Sequence, residues 1–332
     1  MPRKKPILEI RGLRTQFPLR EGTVTALDGI DLTIYENESV GIVGETGCGK
    51  SVTAFSILRL VPPPGRITAG SIRFKGVELT TLPEDDMRGV RGSQISMIFQ
   101  DPSTSLDPVF RIGYQLGEVI SLHQNLYDED ALRAKELQIL KLVRIAAPES
   151  VLDQYPHELS GGMKQRVMIA LAVSCSPSLL IADEPTTALD VTIQAQVLNL
   201  LKDVVRKTGS SMMLITHNLG VVAEACSRVC IMYAGRIIEE AETFALFGEP
   251  LHPYTRGLLT AFPKLGEQKD ELAVIRGTVP NLMTPFPGCS FVDRCDFATE
   301  LCRRVRPTRL EAAPGHFVAC HLYPVGGPSH DA

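Results

Sequence analysis

Gly44-Glu45-Thr46-Gly47-Cys48-Gly49-Lys50-Ser51 is the stretch on which this sequence turns. It satisfies G-x-x-x-x-G-K-[S/T], and its surroundings suit the motif. An apolar run at residues 40–43 enters it, and helically spaced residues 52–60 leave it, stopped by Pro62-Pro63-Pro64-Gly65. Glycines let backbone N–H groups turn inward around phosphate oxygens, and the following helix start adds its positive end. Lys50 is expected to reach the β- and γ-phosphates, and the Ser51 hydroxyl to ligate Mg²⁺. Cys48 occupies a free position, where a small filler is enough.

Working outward, a second apolar run at residues 179–182 ends in Asp183-Glu184. At this distance after a phosphate loop, the first acid suits a Mg²⁺ ligand and the second a general base acting on water. Residues 7–10 and 24–34 read as short strands, and 212–216 and 229–233 as buried ones. Residues 193–205 read as a helix with Gly209 beyond its end. Strands alternating with helices predict a mainly parallel sheet covered on both faces. The largely helical stretch at 111–175 interrupts that rhythm and predicts an inserted subdomain. Beyond about residue 241 prolines recur and periodicity fades, which predicts a separate, loop-rich appendix.

With 332 residues the chain can hold one large or two modest domains. Lys+Arg is 34 and Asp+Glu 38, a net charge of −4 that argues against a nucleic-acid partner. No apolar run reaches the roughly 18 residues of a membrane span. The basic start, Met1-Pro2-Arg3-Lys4-Lys5-Pro6, leads into no apolar segment, so no signal peptide is expected. The eight cysteines are then expected in a reducing compartment.

Leu159-Ser160-Gly161-Gly162-Met163-Lys164-Gln165-Arg166 lies between the phosphate loop and the second acidic strand. A hydroxyl followed by two glycines at a helix start is another anion nest. Here the chain resembles the ATP-binding subunits of ABC transporters, with Met163 where Gln is commoner. In that family the nest serves the other subunit, two subunits sandwiching two ATPs head to tail. The resemblance implies further roles. Gln100, in Ile98-Phe99-Gln100-Asp101-Pro102, would sense Mg²⁺ and the attacking water. Ala188-Leu189-Asp190 would cross between paired subunits, and His217 would contact the γ-phosphate. Phe17 would stack on adenine, unless it is simply a core aromatic. Glu45, Thr46, Gly47, Cys48 and Val52 would line the nucleotide with the rest of the loop.

The end of the chain narrows the likeness. Pro250-Leu251-His252-Pro253-Tyr254-Thr255-Arg256-Gly257-Leu258-Leu259, Ile275-Arg276-Gly277-Thr278-Val279-Pro280 and the stretch from Gly288-Cys289 to Arg294-Cys295 resemble the oligopeptide/dipeptide (and nickel) importer ATPases. Cys289, Cys295, Cys302 and Cys320 fall within the last 44 residues, where even spacing would put about one. Four soft ligands suit a [4Fe–4S] cluster, which some members of that subfamily carry, or tetrahedral Zn²⁺, or a metal-free set of thiols. His316 and His321 read as bystanders. The basic run Arg303-Arg304-x-Arg306-x-x-Arg309 reads as a solvated face.

The expected fold is α/β. It comprises a P-loop NTPase (RecA-like) core with an N-terminal antiparallel β subdomain, a helical subdomain at about 101–175, and a loop-rich, cysteine-containing C-terminal appendix. The ATP-binding domain would span 1–240 and the extension 241–332. By resemblance the chain is an ATPase powering peptide import, or import of nickel, glutathione or another small cargo. It would act peripherally at the cytoplasmic face of the inner membrane. Its partners would be two permease subunits docking near Gln100 and residues 101–108, a second related ATPase, and a substrate-binding protein. A soluble ABC ATPase of repair or translation is the rival reading, and a small-molecule P-loop kinase, which would not need the Ser160–Gly162 nest, is a second.

Overall fold

The structure, a computed structural model, describes residues 5–187, 190–261, 275–284 and 286–323. The chain opens with β1 (Pro6–Leu19), β2 (Gly22–Tyr35) and β3 (Ser39–Val43), followed by α1 (Lys50–Ile57), β4 (Arg66–Phe74) and β5 (Val77–Glu78). Then come α2 (Glu84–Val90), β6 (Ile95–Ile98), α3 (Pro102–Ser105), α4 (Ile112–Gln124), α5 (Glu129–Leu142), α6 (Pro148–Leu152) and α7 (Gly161–Val173). β7 (Leu179–Asp183), α8 (Val191–Thr208), β8 (Ser211–Thr216), α9 (Leu219–Ala225), β9 (Arg228–Tyr233) and β10 (Arg236–Glu242) follow. α10 (Thr243–Gly248), α11 (Pro253–Ala261), α12 (Glu300–Arg304), β11 (Leu310–Ala313) and β12 (His316–Val318) end it. Two compact bodies emerge, one from residues up to 7, 34–39 and 75–215, the other from 8–33, 40–74 and 216 onward.

In the first body β6, β7 and β8 run parallel, Ile95 opposite Leu179 and Leu179 opposite Ser211. β7 and β8 are buried along their whole length, which is why they read as unbroken apolar runs. α4, α5 and α6 pack on one another, α4 and α5 also on α7, and α7 on β6. Asp128 starts α5 by accepting from the Ala131 N–H at 2.9 Å, and Asp190 starts α8 by accepting from Ile193 at the same distance. Gly209, in the left-handed region at φ 67°, ends α8 where the sequence suggests.

In the second body β3 and β9 are parallel, and β9, β10, β12 and β11 continue antiparallel. β1 pairs antiparallel with β4 and lies between it and β2. β1 and β2 are 14 residues each, longer than the apolar runs suggest, because one face of each is only partly buried and carries polar residues. β4, β6, β10 and the β11–β12 hairpin have no clear pattern in the sequence. β6 has only four residues, all buried, and β4 is mostly exposed. The segment after residue 241 is less loop-like than its prolines suggest. β12 pairs with β10, Glu239 opposite Val318 and Glu240 opposite Phe317. No helix among the described residues is long and apolar enough to cross a membrane.

Candidate functional site

The phosphate loop links β3 to α1. Gly49 caps α1 at φ 106°, and a Cβ there would stand 2.6 Å from the Ala26 carbonyl oxygen. Only glycine meets both conditions. The Lys50 ammonium, buried, donates to the Gly44 and Glu45 carbonyls at 2.8 and 2.9 Å. The cation therefore closes the loop on itself. Thr46 and Gly47 are exposed at the tip, while Ser51 and Val52 are half-buried in the first turn of α1. Cys48 is 1% exposed, and burial pushes its thiol up, the neighbouring Lys50 opposing. It packs as the small filler the sequence suggests. Phe17, half-buried on β1, lies so close to Gly65 that a Cβ there would sit 2.4 Å from its ring. One edge of the ring is thus a packing contact.

In the other body the end of β7 carries Asp183, 3% exposed, and Glu184 just beyond the strand. Glu184 adopts φ 44°, a left-handed backbone that costs energy outside glycine and is met disproportionately at functional positions. Its N–H donates to the Ile215 carbonyl at 2.8 Å. Its carboxylate accepts from the Gln100 amide at 3.3 Å and from the Thr187 hydroxyl at 2.8 Å. The two residues expected to handle water, Gln100 and Glu184, are therefore in contact. Thr187 went unrecognised in the sequence, and a lone threonine there carries no signal.

Ser160 is the N-cap of α7. Its hydroxyl lies 3.4 Å from the Met163 N–H, and a Cβ on Gly161 would meet nothing within 4 Å. The nest is open to a ligand from outside. Asp190 spends one carboxylate oxygen capping α8; Ala188 and Leu189 lie outside the described residues. His217 is exposed between β8 and α9, beside Asn218, which caps α9 by accepting from Gly220 and Val221.

In the C-terminal region Cys289, Cys295, Cys302 and Cys320 are free thiols lining one cavity of about 40 Å³ with Phe291, Phe297 and others. The Cys289 N–H donates to the Cys302 carbonyl at 2.8 Å, tying the two turns together. Burial, with neighbouring thiols adding to it, pushes Cys320 up to about 11, and burial also raises Cys289 and Cys295. Among the described residues no group of three or more His, Cys, Asp or Glu side chains is arranged to hold a metal ion. His316 pairs with Glu239 at 2.7 Å, while His321 lines the same cavity as the thiols and its Nε2 meets the Val305 carbonyl at 2.8 Å. The basic run is not uniformly a solvated face. Arg306 pairs with Asp28 at 3.1 Å, and Arg309 with Glu240 at 2.9 Å while lying over the Phe317 ring. Arg303 and Arg304 are exposed.

Residues 27–187 match the ABC transporter family, and residues 238–302 match the oligopeptide/dipeptide transporter C-terminal region. A probable peptide ABC transporter ATP-binding protein of Sinorhizobium fredii is 52% identical over 322 residues, covering 96% of each chain. The oligopeptide transport ATP-binding protein AppD of Bacillus subtilis is 48% identical, covering 96% of this chain and 97% of its own. Among solved structures, a dimeric ATP-binding cassette in a post-hydrolysis state with ADP and Pi superposes with a TM-score of 0.64 at 25% identity, over 71% of this chain and 98% of that one. With the phosphate loop, the acidic strand end and the open nest all present in a chain that aligns nearly end to end with such proteins, this protein belongs to the ABC transporter family as an ATP-binding subunit that hydrolyses ATP.

Proposed function

We propose that the chain powers import of di- and oligopeptides. The observation that carries this reading is the C-terminal match, since residues 238–302 resemble a region named for oligopeptide and dipeptide transporters. The AppD relative, named for oligopeptide transport, is similar over nearly all of both chains. The chain works peripherally at the cytoplasmic face of the inner membrane. Its partners are two permease subunits, a related second ATPase and a substrate-binding protein. Residues 1–240 form the ATPase and 241–332 the extension.

In this reading residues 44–52 cradle the phosphates, Lys50 neutralises the β- and γ-oxygens, and Phe17 stacks on adenine. Glu184 takes a proton from the attacking water, oriented with Gln100, and His217 holds the γ-phosphate. Ser160, Gly161, Gly162 and Asp190 complete the partner subunit's site. The hydroxyl, amide and carboxylate oxygens of Ser51, Gln100 and Asp183 are hard donors that suit Mg²⁺. When bound, Mg²⁺ supplies charge neutralisation at the transferring phosphate.

The four thiols are assigned to a [4Fe–4S] cluster that staples the extension. Four thiols lining one cavity are the soft, four-fold donor set that such a cluster takes, and tetrahedral zinc is the alternative.

The test is reconstitution of the chain with its neighbouring subunits in proteoliposomes. Loaded binding protein should stimulate ATP hydrolysis and peptide uptake together. Uptake that responds to nickel or glutathione but not to peptides would overturn the cargo assignment.

A further inference from the structure

We infer that Arg294, in the cysteine-bearing extension, is a positioning residue for the phosphate loop, acting through Glu45. The two lie 249 positions apart, yet the guanidinium meets the Glu45 carboxylate fork to fork, Nη1 to Oε2 at 2.8 Å and Nη2 to Oε1 at 3.0 Å. The Arg294 side chain is only 6% exposed. It is held from every side. Its Nε donates to the Arg276 carbonyl at 2.9 Å, its Nη2 also to Ile275 at 3.4 Å, and its Nη1 also to the Tyr233 hydroxyl at 3.4 Å. The guanidinium carbon sits 5.8 Å from the Tyr233 ring centre and 5.9 Å from that of Phe291. The Glu45 pairing is the main cause that raises the affinity of Arg294 for its proton.

The same loop residue is gripped a second time. The Glu45 N–H donates to the hydroxyl of the fully buried Tyr254 at 3.0 Å. Tyr254 in turn packs against Tyr233 and Phe291, ring centres 4.7 Å apart for the first pair and 5.4 Å for the second. Both grips come from residues beyond 241, which the ATPase motifs do not use.

Their consequence is electrostatic as well as geometric. Glu45 puts a carboxylate in a loop whose task is to hold a polyanion. Unpaired, that charge would repel the triphosphate across a partly dry loop, where screening is weak. Bidentate pairing cancels the charge and fixes the peptide between Gly44 and Thr46.

This rests on residues 44–51 being the phosphate site, and a Lys50→Ala variant separates the two claims. ATP affinity of the full chain is read by titration with a fluorescent ATP analogue. Arg294→Ala should weaken it about tenfold, the scale of one hydrogen-bonded charged contact. Arg294→Lys keeps the charge but not the fork, so it should fall in between. It also serves as the test variant if Arg294→Ala does not fold. With Glu45→Gln already present, replacing Arg294 should cost less than about twofold, because no uncompensated carboxylate remains. A purely structural role for Arg294 would cost the same in both backgrounds. An equal loss in both, or no loss in either, overturns the inference. Normal ATP binding by Lys50→Ala overturns instead the assignment of the loop.

Discussion

Glu239 is the buried joint that fastens the extension to the sheet, and replacing it by Gln should cost about 1–3 kcal/mol, the penalty of leaving a buried donor unsatisfied. Its carboxylate is 1% exposed and accepts from the Leu251 N–H at 2.7 Å, the His252 N–H at 2.8 Å and His316 Nε2 at 2.7 Å. Because an ionised carboxylate only accepts, His316 must carry its proton on Nε2. An amide of the same size offers one acceptor and turns an N–H₂ towards groups that are themselves donors. At least one buried donor then stays unsatisfied, at about 1–3 kcal/mol each. The pH dependence follows with a definite sign. Burial alone would raise the Glu239 carboxyl, but His316, Thr255 and the Leu251 and His252 N–H groups outweigh it and hold it below the usual range. Its stabilisation is therefore fully present above the unfolded value of about 4.3 and is lost as pH falls through the lower folded value. Urea unfolding of both proteins at several pH values, with hydrogen exchange over residues 251–256 and 316–318, measures this. The difference between them should be largest at neutral pH and shrink below about pH 4. A difference under about 1 kcal/mol at pH 7, or one independent of pH, would refute the reasoning.

Three further outcomes follow from the site. Glu184→Gln should retain ATP binding while lowering turnover by about 10²–10⁴-fold, the range for loss of a general base; single-turnover hydrolysis at normal rate in the assembled transporter would contradict that role. Gly49→Ala, at φ 106° with the Ala26 carbonyl 2.6 Å from the new Cβ, should abolish nucleotide binding as measured by calorimetry. Cys289→Ser, purified anaerobically, should lose the iron, sulfide and visible absorbance expected of the parent; a colourless, metal-free parent would remove the cluster assignment altogether.

The motifs proposed to form the nucleotide site are legible in the sequence because they are local. A phosphate loop is made by eight consecutive residues whose glycines set their own backbone, so Gly44 to Ser51 announce it without help from distant chain. β7 and β8 were legible because strands buried on both faces need unbroken apolar runs, and their lengths allow little else. β1 and β2 were read too short, because half-exposed strands tolerate polar residues that blur the pattern. β6 and the β11–β12 hairpin are too brief to show any period.

The sequence by itself therefore determined the family to which the ordered motifs belong, and it marked the residues proposed to handle phosphate and water. The tertiary structure alone decided what stands behind that chemistry. No spacing rule connects Arg294 with Glu45, Glu239 with His316, or four scattered cysteines with one cavity. Those contacts form only after the chain has closed loops of tens to hundreds of residues, and charged side chains that look solvated in sequence become paired when folding takes their water away.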